Sequence, residues 1–140
     1  MKKLLWVIVL AAFAYAGYQR HDFLEDTANP GTSVSDARLG AEASGTQVQA
    51  TGVITRILPD DDEGSRHQRF ILQLPSGQTL LIAHNIDLAP RVDGLKEGDT
   101  VAFNGEFEWN SEGGVVHWTH HDPSGRHAAG WLKHQGQVVQ

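Results

Sequence analysis

Histidine is concentrated in one stretch of this chain, Val115–His134 (VVHWTHHDPSGRHAAGWLKH), which holds His117, His120, His121, His127 and His134 together with Trp118, Trp131 and Asp122. Imidazole binds transition metals as a neutral ligand and moves protons near neutral pH, so this density is the first thing to explain. His67 and His84 precede it, the first behind the acidic run Asp60–Glu63 and the second followed by Asn85 and Asp87. The chain has no cysteine, which excludes disulfides and thiolate ligands. Any metal must therefore be held by histidine, carboxylate or carbonyl groups.

Other chemistries are harder to read. There is no HExxH pair for zinc, and no serine sits in G-x-S-x-G. Asp60–Glu63 lacks the alternating ligands of a calcium loop and reads as solvated. Asp122-Pro123-Ser124-Gly125 fits a type I turn, so Asp122 is either a turn former or a metal ligand. The net charge of −6 disfavours a general nucleic-acid partner, because phosphate binding depends on Lys and Arg.

The elements that must position these residues are strands. Gln47–Leu58 is rich in β-branched residues, with Gly52 marking a bend or bulge. His67–Leu74 and Gln78–His84 flank the turn Leu74-Pro75-Ser76-Gly77. Thr100–Trp109 alternates, with Val101, Phe103, Phe107 and Trp109 on one face and Asn104, Glu106 and Glu108 on the other. After a turn at 110–114, Val115–Thr119 is the fifth strand. Residues 85–99 are too broken for a long helix, although Val92–Lys96 suits one helical turn. Arg126–His134 suits a short helix with His127, Trp131 and His134 on one face, at some expense from Gly130. Trp131 and Leu132 would then plug one end of the barrel, and Trp118 would join the core.

Five strands with a long third connection predict an all-β fold, a small OB-like Greek-key barrel over residues 47–140 with a short C-terminal helical or irregular segment. In such a barrel the first loop and the exits of the third and fifth strands share a rim. That rim would collect His67, His84, Asp87, His120, His121 and Asp122 as metal ligands. A site of this make-up suits a divalent transition metal, zinc or copper. The alternative is that these histidines decorate loops and make structural hydrogen bonds.

Residues 1–16 have the form of a signal peptide: Lys2-Lys3, an apolar run, and Ala14-Tyr15-Ala16. The run is shorter than the roughly 20 residues of a spanning helix, which favours cleavage over an uncleaved anchor. Residues 17–46 read as a polar linker with one or two helical turns around Ser35–Ala43. The expected location is periplasmic or secreted, with inner-membrane anchoring as the alternative.

The segments HQRFILQL, GQTLLIAHNIDLAP, GDTVAFNGEFEWN and GGVVHWTHHDPSGRHAAGWLKHQG resemble a bacterial family of small exported proteins, the domain of unknown function 3465. The resemblance runs from about Val48 to the C-terminus. It implies a compact domain behind a signal peptide and transfers no functional residue. A looser likeness is to the periplasmic haem chaperone of cytochrome c maturation, whose attaching histidine lies in HxxxY. Here His120 and His121 are followed by Asp-Pro-Ser-Gly, with no tyrosine at either position.

Three functions follow, in order. The first is a binding module whose rim takes a metal ion or small ligand. The second is a metal-dependent hydrolase, acting on phosphodiesters through the same residues. The third is a module that docks an envelope protein.

Overall fold

The computed structural model describes Thr32–Ser33 and residues 38–140. The expected signal peptide and most of the expected linker lie outside the described residues. The strands are β1 (Thr32–Ser33), β2 (Thr46–Asp61), β3 (His67–Gln73), β4 (Thr79–Asn85), β5 (Thr100–Glu108), β6 (Val115–His117), β7 (Trp131–His134) and β8 (Gln137–Val139), with a 3-10 turn at Ala41–Ala43.

β2, β3, β4, β6 and β5 form a closed ring, because β2 pairs with β3 on one side and β5 on the other. β4 and β6 run parallel, and the other ring pairings are antiparallel. This is the order expected of an OB-like Greek-key barrel, in which the third and fifth ring strands lie parallel. β2 can serve two neighbours because it is 16 residues long and bends. It leaves β5 and joins β3 at Val53, beside Gly52, with a register shift between Ile54 and Arg56. A Cβ at Gly52 would stand 2.6 Å from the Gln73 carbonyl oxygen, so the bend requires glycine.

Alternation places one face of each strand inside. Val48 and Ile54 from β2, Phe70 and Leu72 from β3, Leu80 and Ile82 from β4, Val101, Phe103 and Phe107 from β5, and Val116 from β6 form the core. Three buried phenylalanines set its size. Truncating one of them to alanine removes about 3–5 kcal/mol of stability. Trp109, expected on that face, lies just past the end of β5 and is half exposed.

The C-terminal segment corrects two expectations. Trp118–Gly130 is irregular, and the chain then enters an antiparallel hairpin, β7–β8, in place of a helix. β7 pairs with β5 at Val101–Asn104, extending the sheet beyond the ring. In extended backbone Leu132 and His134 point inward, while Trp131 and Lys133 face out. Leu132 therefore joins the core, whereas Trp131 is only half buried. His127, Trp131 and His134 share no helical face. Gly130 makes the entry possible: a Cβ there would collide with the carbonyl oxygens of Trp118 and Asn104. Residues 92–96 likewise form no helical turn.

Candidate functional site

The residues expected on the rim separate into groups once their partners are known. His84 is fully buried on β4. Its Nε2 lies 2.9 Å from the Pro90 carbonyl and its Nδ1 lies 2.7 Å from Thr119 Oγ1. A carbonyl only accepts, so Nε2–H donates to it and Nδ1 accepts from the threonine hydroxyl. Burial pushes the His84 pKa below the ordinary histidine value. Both nitrogens are occupied, and the ring acts as a strut between β4, the 86–99 connection and the segment after β6.

Asp87 accepts from both the backbone N–H and Nε of Arg66, each at 2.9 Å. These bonds hold its carboxyl below the usual range. Asp122 accepts from the Ser124, Arg126 and His127 backbone N–H groups and from the Ser124 hydroxyl. Those donors, led by Ser124, lower its pKa to about 2. Asp122 thus organises the turn over 122–127. His121 is exposed, and its carbonyl accepts from His120 Nδ1 at 2.7 Å. His67 and His120 line one pocket of about 150 Å³ with Asn85, Leu88, His117 and Trp118. The rim therefore brings His67 and His120 to one pocket, and the buried His84 ring meets His120 edge-on with centroids 6.2 Å apart. Asp87 is occupied by Arg66 of the β2–β3 loop, and Asp122 by its own turn.

A different set of donors converges on the outer face of β5 and β6. Period-two geometry puts Glu106 and Glu108 on one side of β5. The antiparallel register places His117 of β6 directly opposite Glu106. Directly opposed side chains are the closest neighbours in a sheet. One carboxylate oxygen of each glutamate and one nitrogen of His117 all lie within 4.8 Å of one another. His117 Nε2 stands 3.4 Å from Glu106 Oε2 and 4.0 Å from Glu108 Oε1. That nitrogen is buried without a hydrogen-bond partner. Desolvation pushes the His117 pKa down, while the two carboxylates pull the other way. The neutral ring that burial favours is the ligand form.

His127 approaches this group through Glu106, with Nε2 3.0 Å from Glu106 Oε2. Its Nδ1 lies 3.0 Å from the Ala128 carbonyl. The ring stacks on Trp118 with centroids 4.3 Å apart and planes 8° from parallel. Trp118 follows β6 directly and holds φ at 54°, a strained value for a bulky residue. Trp118 is thus only partly buried, outside the core expected for it. Asp122 fixes the turn, the turn presents His127, and His127 orients Glu106.

Alternation puts Glu106 and Glu108 on the face of β5 opposite Val101, Phe103 and Phe107, but alternation alone does not mark them as ligands. The E-x-E spacing facing a strand that ends in histidine was the available signal. Its meaning depended on the hairpin register, which the six residues between β5 and β6 leave open.

A small closed β-barrel with a carboxylate–histidine group on its outer face is the class that fold and site define. A family model described as a protein of unknown function (DUF3465) matches residues 27–140, and the chain belongs to that family. No curated protein matches the chain.

Proposed function

We propose that this domain is a metal-binding module that holds a divalent transition ion through Glu106, Glu108 and His117. The single observation that carries the reading is His117 Nε2, buried and unpartnered beside two carboxylates. Leaving a buried polar atom without a partner costs about 1–3 kcal/mol, and a metal bond would remove that penalty. One nitrogen and two oxygen donors without sulfur suit zinc among the available ions. His127 supplies the outer hydrogen bond that holds a ligating carboxylate in orientation.

Three protein ligands leave zinc one position for water or a small ligand. That vacancy supports the second reading, metal-dependent hydrolysis, since bound water is acidified by the ion. The site is tested by zinc titration of the full chain without a histidine tag. One equivalent should bind with micromolar or tighter Kd, and His117→Gln should weaken it about tenfold or more. Absence of saturable binding overturns the reading. Chelator-sensitive turnover of a model phosphodiester would separate the enzyme from the binding module.

A further inference from the structure

Beside the carboxylate group lies a pocket with a different donor chemistry. None of its lining residues, His67, Asn85, Leu88, His117, Trp118 and His120, is a carboxylate. His67 Nδ1 lies 2.8 Å from the Ser65 carbonyl, and His120 Nδ1 lies 2.7 Å from the His121 carbonyl. Because a carbonyl only accepts, the proton of each neutral ring sits on Nδ1 and the lone pair on Nε2. Neither Nε2 has a hydrogen-bond partner among the described residues. Metal-ligating histidines are typically fixed this way, one nitrogen donating to a carbonyl while the other faces the ion.

His120 is held from further directions. The Trp118 ring lies 5.5 Å away, His84 meets it edge-on at 6.2 Å, and only 2% of the residue is exposed. The two rings reach the pocket from separate elements, His67 from the start of β3 and His120 from the segment after β6. A partly buried seat without an anionic ligand accommodates a monovalent charge at less cost than a divalent one. His117 also lines the pocket, but its Nε2 belongs to the Glu106–Glu108 group, which leaves two imidazoles. Imidazole is a copper ligand, and two of them suit an ion that accepts low coordination.

We infer that His67 and His120 form a second metal seat that takes Cu(I) through their Nε2 atoms. The seat shares no ligand with the Glu106–Glu108–His117 group and stands or falls separately from it. The test is competition between the full chain and a chromophoric Cu(I) chelator under reducing conditions. Wild type should retain one equivalent, and His67→Gln and His120→Gln should each lose about 10–100-fold in affinity. Glu106→Gln should keep the wild-type value. Unchanged affinity in His67→Gln overturns the inference, as does an equal loss in Glu106→Gln, which would mean a single shared site. Circular dichroism identifies folded variants. If His120→Gln does not fold, His67→Gln decides alone, since His67 is only partly buried and its substitution leaves the core intact.

Discussion

His84 and His117 are both partly or fully desolvated imidazoles with lowered pKa, thirty-three residues apart and on adjacent parallel strands. His84 has a hydrogen-bond partner at each nitrogen, Thr119 and Pro90. His117 has a buried Nε2 with none, and two carboxylates within 4.0 Å of it. The difference separates a histidine that holds the barrel together from one that is set up to bind. Burial and pKa alone do not separate them; the count of satisfied atoms does.

The strongest way to break this contrast is to exchange the outcomes of two substitutions. His84→Leu fills similar space but leaves the Thr119 hydroxyl and the Pro90 carbonyl without their partner. A loss of about 2–4 kcal/mol in urea denaturation is expected, from two buried groups at roughly 1–3 kcal/mol each with partial relaxation. Zinc affinity in the folded fraction should stay at the wild-type value. His117→Gln should do the reverse, with stability no lower than wild type because a buried unpartnered nitrogen is removed, and zinc binding weakened about tenfold. If His117→Gln proves the more destabilising of the two, His117 is structural and the distinction collapses.

The same two residues sharpen the contrast through pH. The folded pKa of His84 lies below its unfolded value, so the folded state resists protonation. Its contribution is fully present above the unfolded value of about 6.5 and declines as pH falls below that value toward the folded pKa. Wild-type stability measured by denaturation across this range should therefore fall on acidification. His84→Leu, less stable throughout, should show a shallower slope there. A slope identical to wild type would mean that His84 is not the group responsible.

Much of the barrel was readable because period-two alternation is local. Val101, Phe103 and Phe107 announced their inner face without tertiary information. The ring order followed from connection lengths and the bend at Gly52. The C-terminal hairpin was hidden for two reasons. His127, Trp131 and His134 fall at a helical spacing, and β7 is only four residues long, too short for alternation to assert itself. The hairpin turns at Gln135-Gly136, both at positive φ, a pair outside the usual Asn-Gly or Asp-Gly signal. At the site, topology suggests that His67 and His120 approach one another, and both line one pocket. Whether each ring was free depended on hydrogen bonds to Pro90, Thr119, Ser65 and His121, set by loop geometry that no spacing rule encodes. The Glu106–His117 pairing required the register.

The smallest expected effect tests whether the satisfied-atom rule extends to carboxylates. Asp122, with backbone and hydroxyl donors on its oxygens, is the carboxylate counterpart of His84, and Glu108 is the counterpart of His117; Glu106 stands between them, since one of its oxygens already takes the His127 hydrogen bond. The folded pKa of Asp122, about 2, lies below the unfolded value of about 3.9. Its stabilising contribution is thus present above the unfolded pKa and is lost as pH falls through the folded one. Asp122→Ala should lower Tm modestly at neutral pH and leave a smaller further decline between about pH 5 and pH 2. It should also loosen the turn that presents His127, so zinc affinity should fall less than in His117→Gln. A loss of zinc binding as large as that of His117→Gln would make Asp122 a ligand, and its hydrogen bonds within the turn would then be secondary to metal capture.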